Sequence, residues 1–367
     1  MRVVAVSTWF PTSAAPSSGA FVVKDALAVA SLGHDVRVVH LVPPHQDDGT
    51  RTVVHEGLRV RRVPMSTTSP RDIVRAARAL VPLLADADLV HSMAISSLLP
   101  LALRRPSAPW VHTEHWSGLT SPQNLPASWR LALPAVSRVF TRPDVVTAVC
   151  DFLAEPIRAV RGPRPTRVVP CIVETPLPVP PRPLRDGVLR LVGVGGLIAR
   201  KDPVLAVETV AELGRRGTTA ELALVGEGEL RDAVVQRASE LGVADRLRLT
   251  GSLPRPAVLA ELAAADLFLG PTRGDNFFVS AAEALVSGRP VVVGATGGQG
   301  EYIDPRVGAL VTEQTATAYA DAVLDVDART SALSAEEISA TIGDRFSVPA
   351  VAAGYEHAYC AARELRR

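Results

Sequence analysis

The feature that most limits what this chain can fold into is an alternation. Short runs rich in β-branched residues are each followed by a stretch with helical spacing of apolar residues. In the first half the runs are RVVAVS, VRVVHLV, DLVHS, WVHT and VVTAV, and the helical pattern after the first closes at Leu32 and Gly33. Runs that are apolar nearly throughout, rather than at every second position, belong to strands covered on both faces. That means a parallel sheet flanked by helices. Residues 174–186, ETPLPVPPRPLRD, break the rhythm with five prolines, and such a stretch reads as an extended, semi-rigid interdomain linker. Beyond it the alternation resumes with LRLVGV, ELALVG, RLRLTG, DLFLG and PVVVG. The expected architecture is α/β, with two doubly wound, Rossmann-like domains over residues 1–173 and 187–345. Residues 346–367 have helical apolar spacing and are expected to fold back on the first domain. Ligands of open α/β sheets bind outside the carboxyl ends of the strands, so the cleft between two such domains is the expected site.

Composition narrows the class. A hydrophobic content of 47% is enough for two cores, and a formal net charge of +1 gives no electrostatic case for nucleic acid. Cys150, Cys171 and Cys360 are an odd set without CxxC spacing, so neither a disulfide frame nor a zinc site is indicated, and a reducing cytoplasm is the expected compartment. The opening MRVVAVSTWFP reads as a buried strand rather than a secretory signal, and no run reaches the ~18 apolar residues of a membrane span. Asp86 with Asp88 and Asp325 with Asp327 resemble metal-binding pairs, but their places in the pattern suit surface solvation, and no metal site is expected. Arg71, Arg75 and Arg78 share one helical face, and Arg158, Arg161, Arg164 and Arg167 form a second cluster. They leave a peripheral membrane contact open. The interleaved aromatics of an inserting helix are missing from them, so a solvated face is the simpler expectation.

Residues 272–293, TRGDNFFVSAAEALVSGRPVVV, carry the chemistry. An apolar strand leads into a polar turn, a helix starts near Val279 and stops at Gly288, and Pro290 begins the next strand. Asp275 then lies in the loop and Glu283 a little over one turn into the helix. Between them the backbone N–H groups of Asn276, Phe277, Phe278, Val279 and Ser280 stand at a helix start, a place that attracts phosphate. A carboxylate also suits a vicinal diol, from which it accepts two hydrogen bonds. Lys201 follows the strand LRLVGV and the turn GGLIAR at the start of another helix. Lys24 and Lys201 are the chain's lysines among 39 Lys plus Arg, which singles the position out.

This order of elements, with the stretch around Asp275 and Glu283, closely resembles glycosyltransferase family four, the retaining nucleotide-sugar transferases of the GT-B fold. The resemblance runs nearly end to end. It implies that Glu283 grips the donor ribose and that Asp275, standing where the family has glutamate, touches the sugar. It also implies that Lys201 contacts the departing diphosphate. Two departures matter: Phe278 stands at a usual glycine, and Gly196, beside Gly195, at a usual arginine. Arg200, or Lys24 in the first domain, is left to supply the missing cation. The family's glycine-rich loop maps to Gly19, and the histidine that approaches the transferred sugar maps to His115, with Glu114 a weaker candidate for the acceptor. Gly226, Gly228, Gly251 and Leu253 match turns that read the nucleotide, and Gly297, Gly298 and Glu301 match a Gly-Gly…Glu segment near sugar and phosphate.

The resulting expectation is a metal-independent, retaining glycosyltransferase. It would take a UDP-, GDP- or dTDP-sugar as substrate, need no cofactor, and act on a glycan, glycolipid or small-molecule hydroxyl. A nucleotide-sugar epimerase of the same fold and a non-catalytic nucleotide-sugar-binding relative stay open beside it.

Overall fold

The computed structural model describes residues 1–16 and 18–367. They form two compact units, Met1–Ile172 with Val348–Arg367, and Val173–Ser347.

The first unit is built on an eight-stranded sheet: β1 (Arg2–Ser7), β2 (Asp35–Val42), β3 (Thr52–His55), β4 (Leu58–Pro64), β5 (Leu89–Met93), β6 (Trp110–Glu114), β7 (Val145–Ala148) and β8 (Thr166–Val168). The order is β3-β4-β2-β1-β5-β6-β7-β8, and every pairing is parallel except the β3–β4 hairpin at one edge. Every residue of β5, β6 and β7 is buried, as continuous apolar runs demand when helices cover both faces. The hairpin escaped the sequence reading. Its turn is Glu56-Gly57, both with positive φ (45° and 81°), the conformation that lets a two-residue turn follow the twist of its strands.

The second unit holds an all-parallel sheet of six: β9 (Leu189–Val194), β10 (Ala220–Val225), β11 (Leu247–Gly251), β12 (Leu267–Gly270), β13 (Val291–Gly294) and β14 (Gly308–Val311), ordered β11-β10-β9-β12-β13-β14. Its core joins Leu191, Leu222, Leu267 and Val292 of the sheet to Leu205, Val210, Tyr319 and Val323 of the covering helices. The helix Val348–Glu364 belongs to the first unit, where Val351, Ala352, Tyr355, Ala358, Tyr359 and Ala362 turn one apolar stripe inward.

One expectation gains detail and another needs correction. Residues 174–186 lack helix and strand, as extended backbone does, and are strapped to the second unit. The buried guanidinium of Arg289 donates to Pro181 O at 2.7 Å and Ala263 O at 2.7 Å, Arg182 donates to Leu333 O at 3.3 Å, and Arg185 pairs with Asp327. The second basic cluster also loses a member. Arg161 is buried and donates to the carbonyls of Pro143, Asp144 and Pro165, so it braces the end of the sheet instead of facing outward. Asp86 and Asp88 are likewise engaged, Asp86 with Arg2 and Arg37 and Asp88 with the Arg2 amide. Among the described residues, no helix is long and apolar enough to cross a membrane.

Candidate functional site

In the second sheet β9 and β12 are neighbours although β10 and β11 intervene in sequence, so the chain reverses its direction of winding between them. The loops leaving their carboxyl ends must diverge there, which opens a crevice where ligands of such sheets bind. After β9 come Gly195, Gly196 and a 3-10 turn, Ala199–Lys201, and then the helix Pro203–Arg215. After β12 comes the loop that ends in the helix Val279–Val286. The two loops are stitched together: the Arg273 amide donates to Arg200 O at 2.8 Å, and Arg273 pairs with Asp202 at 2.6 Å.

This stitching brings the predicted charges together. Asp275 Oδ2 accepts from Lys201 Nζ at 2.5 Å and from Arg200 Nη1 at 2.8 Å, while the same Arg200 nitrogen reaches Gly274 O at 2.8 Å. Burial would push the Asp275 carboxyl up, but the cations of Lys201 and Arg200 outweigh it and bring the pKa down to about 2. Lys201 moves the same way, because burial lowers its pKa more than Asp275 restores it. The ammonium also sits 3.6 Å from the centroid of the Phe278 ring, a cation–π contact. The cluster is thus one anion, two cations and an aromatic face.

Phe278 is the N-cap of the helix Val279–Val286 and has φ 54° and ψ 61°, left-handed values that cost a non-glycine residue roughly 1–2 kcal/mol. The surroundings hold it there. Its N–H donates to Asp275 Oδ1 at 3.3 Å, its carbonyl accepts from the Tyr302 hydroxyl at 2.9 Å, and its ring meets Phe268 edge-on. The chain therefore keeps the backbone conformation for which a glycine would be natural and adds a ring over Lys201. Gly297 and Gly298 serve the same loop: Asp275 N donates to Thr296 O at 3.3 Å, and Gly298 N donates to Asp275 O at 3.1 Å.

Glu283 lies one helical turn further, mostly buried, with Oε1 2.9 Å from Arg255, whose other terminal nitrogen pairs with Glu174 at 3.2 Å. Sequence reasoning missed Arg255 and Tyr302, since no spacing relates residue 255 to 283 or residue 302 to 278. Gly226 abuts the β9 loop so closely that a Cβ would lie 2.0 Å from Gly195 O, and its φ is 142°. Its amide donates to Gly251 O at 2.9 Å, which brings the Gly226, Gly228, Gly251 and Leu253 turns to the same sheet end. Gly196 differs: a Cβ there finds nothing nearer than 3.6 Å, so the backbone position does not itself require glycine. Three further predicted residues are anchored by their surroundings. Phe277 packs against Tyr302 and Phe346, the Ser280 hydroxyl donates to Val194 O, and exposed Glu301 offers its carbonyl to Arg345.

In the first unit, Gly19 caps the helix Ala20–Ser31 with φ 69°, and a Cβ there would lie 2.4 Å from the Trp9 carbonyl carbon. Lys24 and buried Asp25 are on this helix. His115 follows β6; its Nε2 is 3.7 Å from Asp25 Oδ2, and its ring is 4.3 Å from that of Phe21. Glu114 is fully buried and occupied. It accepts from the His115 and Trp116 amides at 2.9 and 2.8 Å and faces His112 Nε2 at 3.2 Å, so it positions the His115 loop rather than an acceptor. Beneath it His91 bridges Tyr359 Oη and Thr113 Oγ1 at 2.8 and 2.6 Å.

Comparisons with known proteins bear on the family and the fold. Residues 18–171 match the family model described as a glycosyl transferase 4-like domain, and residues 189–327 match glycosyl transferases group 1. The chain is 28% identical over 291 residues to a GDP-mannose-dependent alpha-(1-6)-phosphatidylinositol monomannoside mannosyltransferase of Mycolicibacterium smegmatis, across 74% of this chain and 75% of that one. It is 30% identical over 216 residues to a 2-deoxystreptamine glucosyltransferase of Streptomyces kanamyceticus, across 54% of this chain and 56% of that one. Among solved structures, sucrose-phosphate synthase of Thermosynechococcus elongatus superposes with a TM-score of 0.79 at 20% identity, covering 100% of this chain and 99% of that one. With family matches in both units and the fold shared end to end, the chain belongs to the group 1 glycosyltransferases of the family-four type and has the GT-B fold.

Proposed function

We propose that this protein moves a sugar from a nucleoside diphosphate sugar to an acceptor hydroxyl with retention of anomeric configuration, and that it needs no metal to do so. The observation that carries this is the Lys201–Arg200–Asp275 cluster beside the start of the helix Val279–Val286, at the point where the winding of the sheet reverses. Lys201, Arg200 and the helix amides take up the charge of the departing diphosphate, as a preorganised set of cations and N–H dipoles does best in a partly buried place. Arg200 fills the part left open by Gly196. Glu283, oriented by Arg255 on one oxygen, binds the ribose diol with the other. His115 and the loop it opens meet the transferred sugar and the acceptor.

For the chemistry, the bond from the anomeric carbon to the phosphate oxygen breaks and the bond to the acceptor oxygen forms on the same face. The acceptor proton goes to the departing phosphate oxygen. The state of Asp275 supports this over a covalent intermediate: Oδ2 is already shared by two cations, which weakens it as a nucleophile. GDP-mannose is the first donor to try, because one relative is named as dependent on it. UDP- and dTDP-sugars are the comparison arms.

The test is calorimetry of GDP, UDP and dTDP binding to the wild type and to Glu283→Gln. Loss of a charged hydrogen-bond acceptor weakens the preferred nucleotide by roughly 10- to 100-fold. Unchanged affinity would sink the assignment. Nucleoside diphosphate release that requires acceptor and persists in EDTA supports transfer. Sugar isomerisation with donor alone points to an epimerase.

A further inference from the structure

We propose that Cys171, His115 and Asp25 form a reactive thiol site in the first unit, one that exchanges with small disulfides. The three side chains come from separate places: Asp25 from the helix Ala20–Ser31, His115 from the loop after β6, and Cys171 from the segment after β8. They fall in line across one imidazole. Cys171 Sγ is 4.0 Å from His115 Nδ1, within reach of a sulfur hydrogen bond, and His115 Nε2 is 3.7 Å from Asp25 Oδ2. That Asp25 oxygen is buried, on a side chain 3% exposed, and accepts no hydrogen bond among the described residues. A carboxylate so placed calls for a positive or donating partner, and among the described residues His115 is the one basic group that it pairs with.

The arrangement has a direction. An Nε2–H held toward Asp25 leaves the lone pair of Nδ1 facing the thiol, and in that tautomer the imidazole can take the thiol proton. His91 and His112 show the contrast. Both are wholly buried, and their ring nitrogens meet hydroxyls or a carboxylate: Tyr359 and Thr113 for His91, Ser92 and Glu114 for His112. The other two cysteines are placed differently. Cys150 is buried with its sulfur accepting from Leu153 N at 3.3 Å, and exposed Cys360 faces the Glu356 carboxylate at 3.8 Å. Cys171 is partly exposed, which admits a small reagent, and a thiol beside a basic nitrogen is where reactive cysteines are found. In the exchange His115 Nδ1 takes the Cys171 proton and the thiolate attacks one sulfur of the disulfide. A new S–S bond forms to Cys171 as the old one breaks, and the departing thiolate takes the proton from the imidazolium. One half of the reagent stays on Cys171, the other leaves as a thiol, and excess thiol reverses the step. The adduct crowds the Nδ1 side of a ring already packed on Phe21 at 4.3 Å. On the reading that His115 and its loop meet the sugar and acceptor, this lowers transfer.

The experiment treats the full chain at neutral pH with hydroxyethyl disulfide, an uncharged reagent, and follows each cysteine by peptide mass mapping. Cys171 is expected to react about tenfold faster than the more exposed Cys360, and Cys150 only on unfolding. Asp25→Asn, with circular dichroism to check its fold, should slow Cys171 about fivefold and leave Cys360 as it was. Should that variant not fold, the order of reaction in the wild type still decides. Nucleoside diphosphate release should fall as Cys171 is modified and return with dithiothreitol, while Cys171→Ser transfers normally and ignores the reagent. Cys360 reacting first, a folded Asp25→Asn that reacts as fast as the wild type, or inactivation of Cys171→Ser overturns the proposal. A chain that releases no nucleoside diphosphate yet shows the same order of labelling sinks the donor reading and leaves the thiol site in place.

Discussion

The two units solve the same problem, polar groups buried near the carboxyl ends of a parallel sheet, in opposite ways. In the second unit the groups stay charged and cancel: Asp275 holds Lys201 and Arg200, and its pKa is brought down to about 2. In the first unit the network around His91 stays neutral. His91 is pushed down to about 3 by burial and shares its two ring nitrogens between Tyr359 and Thr113, whose hydroxyl also meets Thr147. Burial likewise raises the Tyr355 and Tyr359 hydroxyls well above their usual range. A neutral network has one arrangement and behaves as a frame, here under the loop that carries His115. A set of ion pairs can exchange partners when a new anion arrives, which is what a diphosphate is.

The comparison breaks most easily at Asp275. Removing one partner of a buried ion pair leaves the others uncompensated, so Asp275→Ala should lower stability by about 3 kcal/mol in urea unfolding. An inorganic diphosphate should restore part of it, since an added anion takes the empty place. The wild type should also lose about 2 kcal/mol between pH 3.8, the ordinary value for the carboxyl, and about 2, where the folded protein finally takes up the proton. Above pH 3.8 that contribution is fully present. If Asp275→Ala unfolds at the same urea concentration as the wild type, the cluster is not held together by charge.

The first unit should respond at a different pH. The unfolded chain protonates His91 near its ordinary 6.5 and the folded chain only near 3, so stability is full above pH 6.5 and falls as pH drops below it. The slope is about 1.4 kcal/mol per pH unit for this one group. His91→Gln keeps a neutral amide in place of the ring, and the unfolding midpoint of that variant should be flatter than that of the wild type between pH 6.5 and 4.5. Equal slopes would mean that acid enters the first unit elsewhere.

The legibility of the two regions in sequence follows the same division. The fold was readable because burial on both faces of a parallel sheet leaves continuous apolar runs, and the Lys201 and Asp275 loops were readable because each directly follows such a run. The β3–β4 hairpin was missed although His55-Glu56-Gly57-Leu58 between alternating residues carries a turn signal. The neutral network was invisible for a better reason. His91, Thr113, Thr147 and Tyr359 come from separate strands and a helix, and nothing local links them. Arg255 and Arg289 were hidden in the same way: an arginine in sequence is expected at the surface, and only packing shows that one orients Glu283 and the other pins the proline-rich strap.

Phe278 sharpens the comparison at its smallest scale, because there the charged cluster also holds a strained backbone. Replacing Phe278 removes the ring from Lys201 and from Phe268, so any small side chain costs stability. Alanine and glycine lose the same ring and differ in one respect. Alanine still carries a Cβ into φ 54°, whereas glycine is at ease there. Phe278→Gly should therefore be more stable than Phe278→Ala by about 1 kcal/mol in urea unfolding, the reverse of the usual order inside a helix. An equal pair would mean that the loop relaxes once the ring is gone, and that the ring over Lys201, rather than the ties from Asp275 and Tyr302, imposes the left-handed turn.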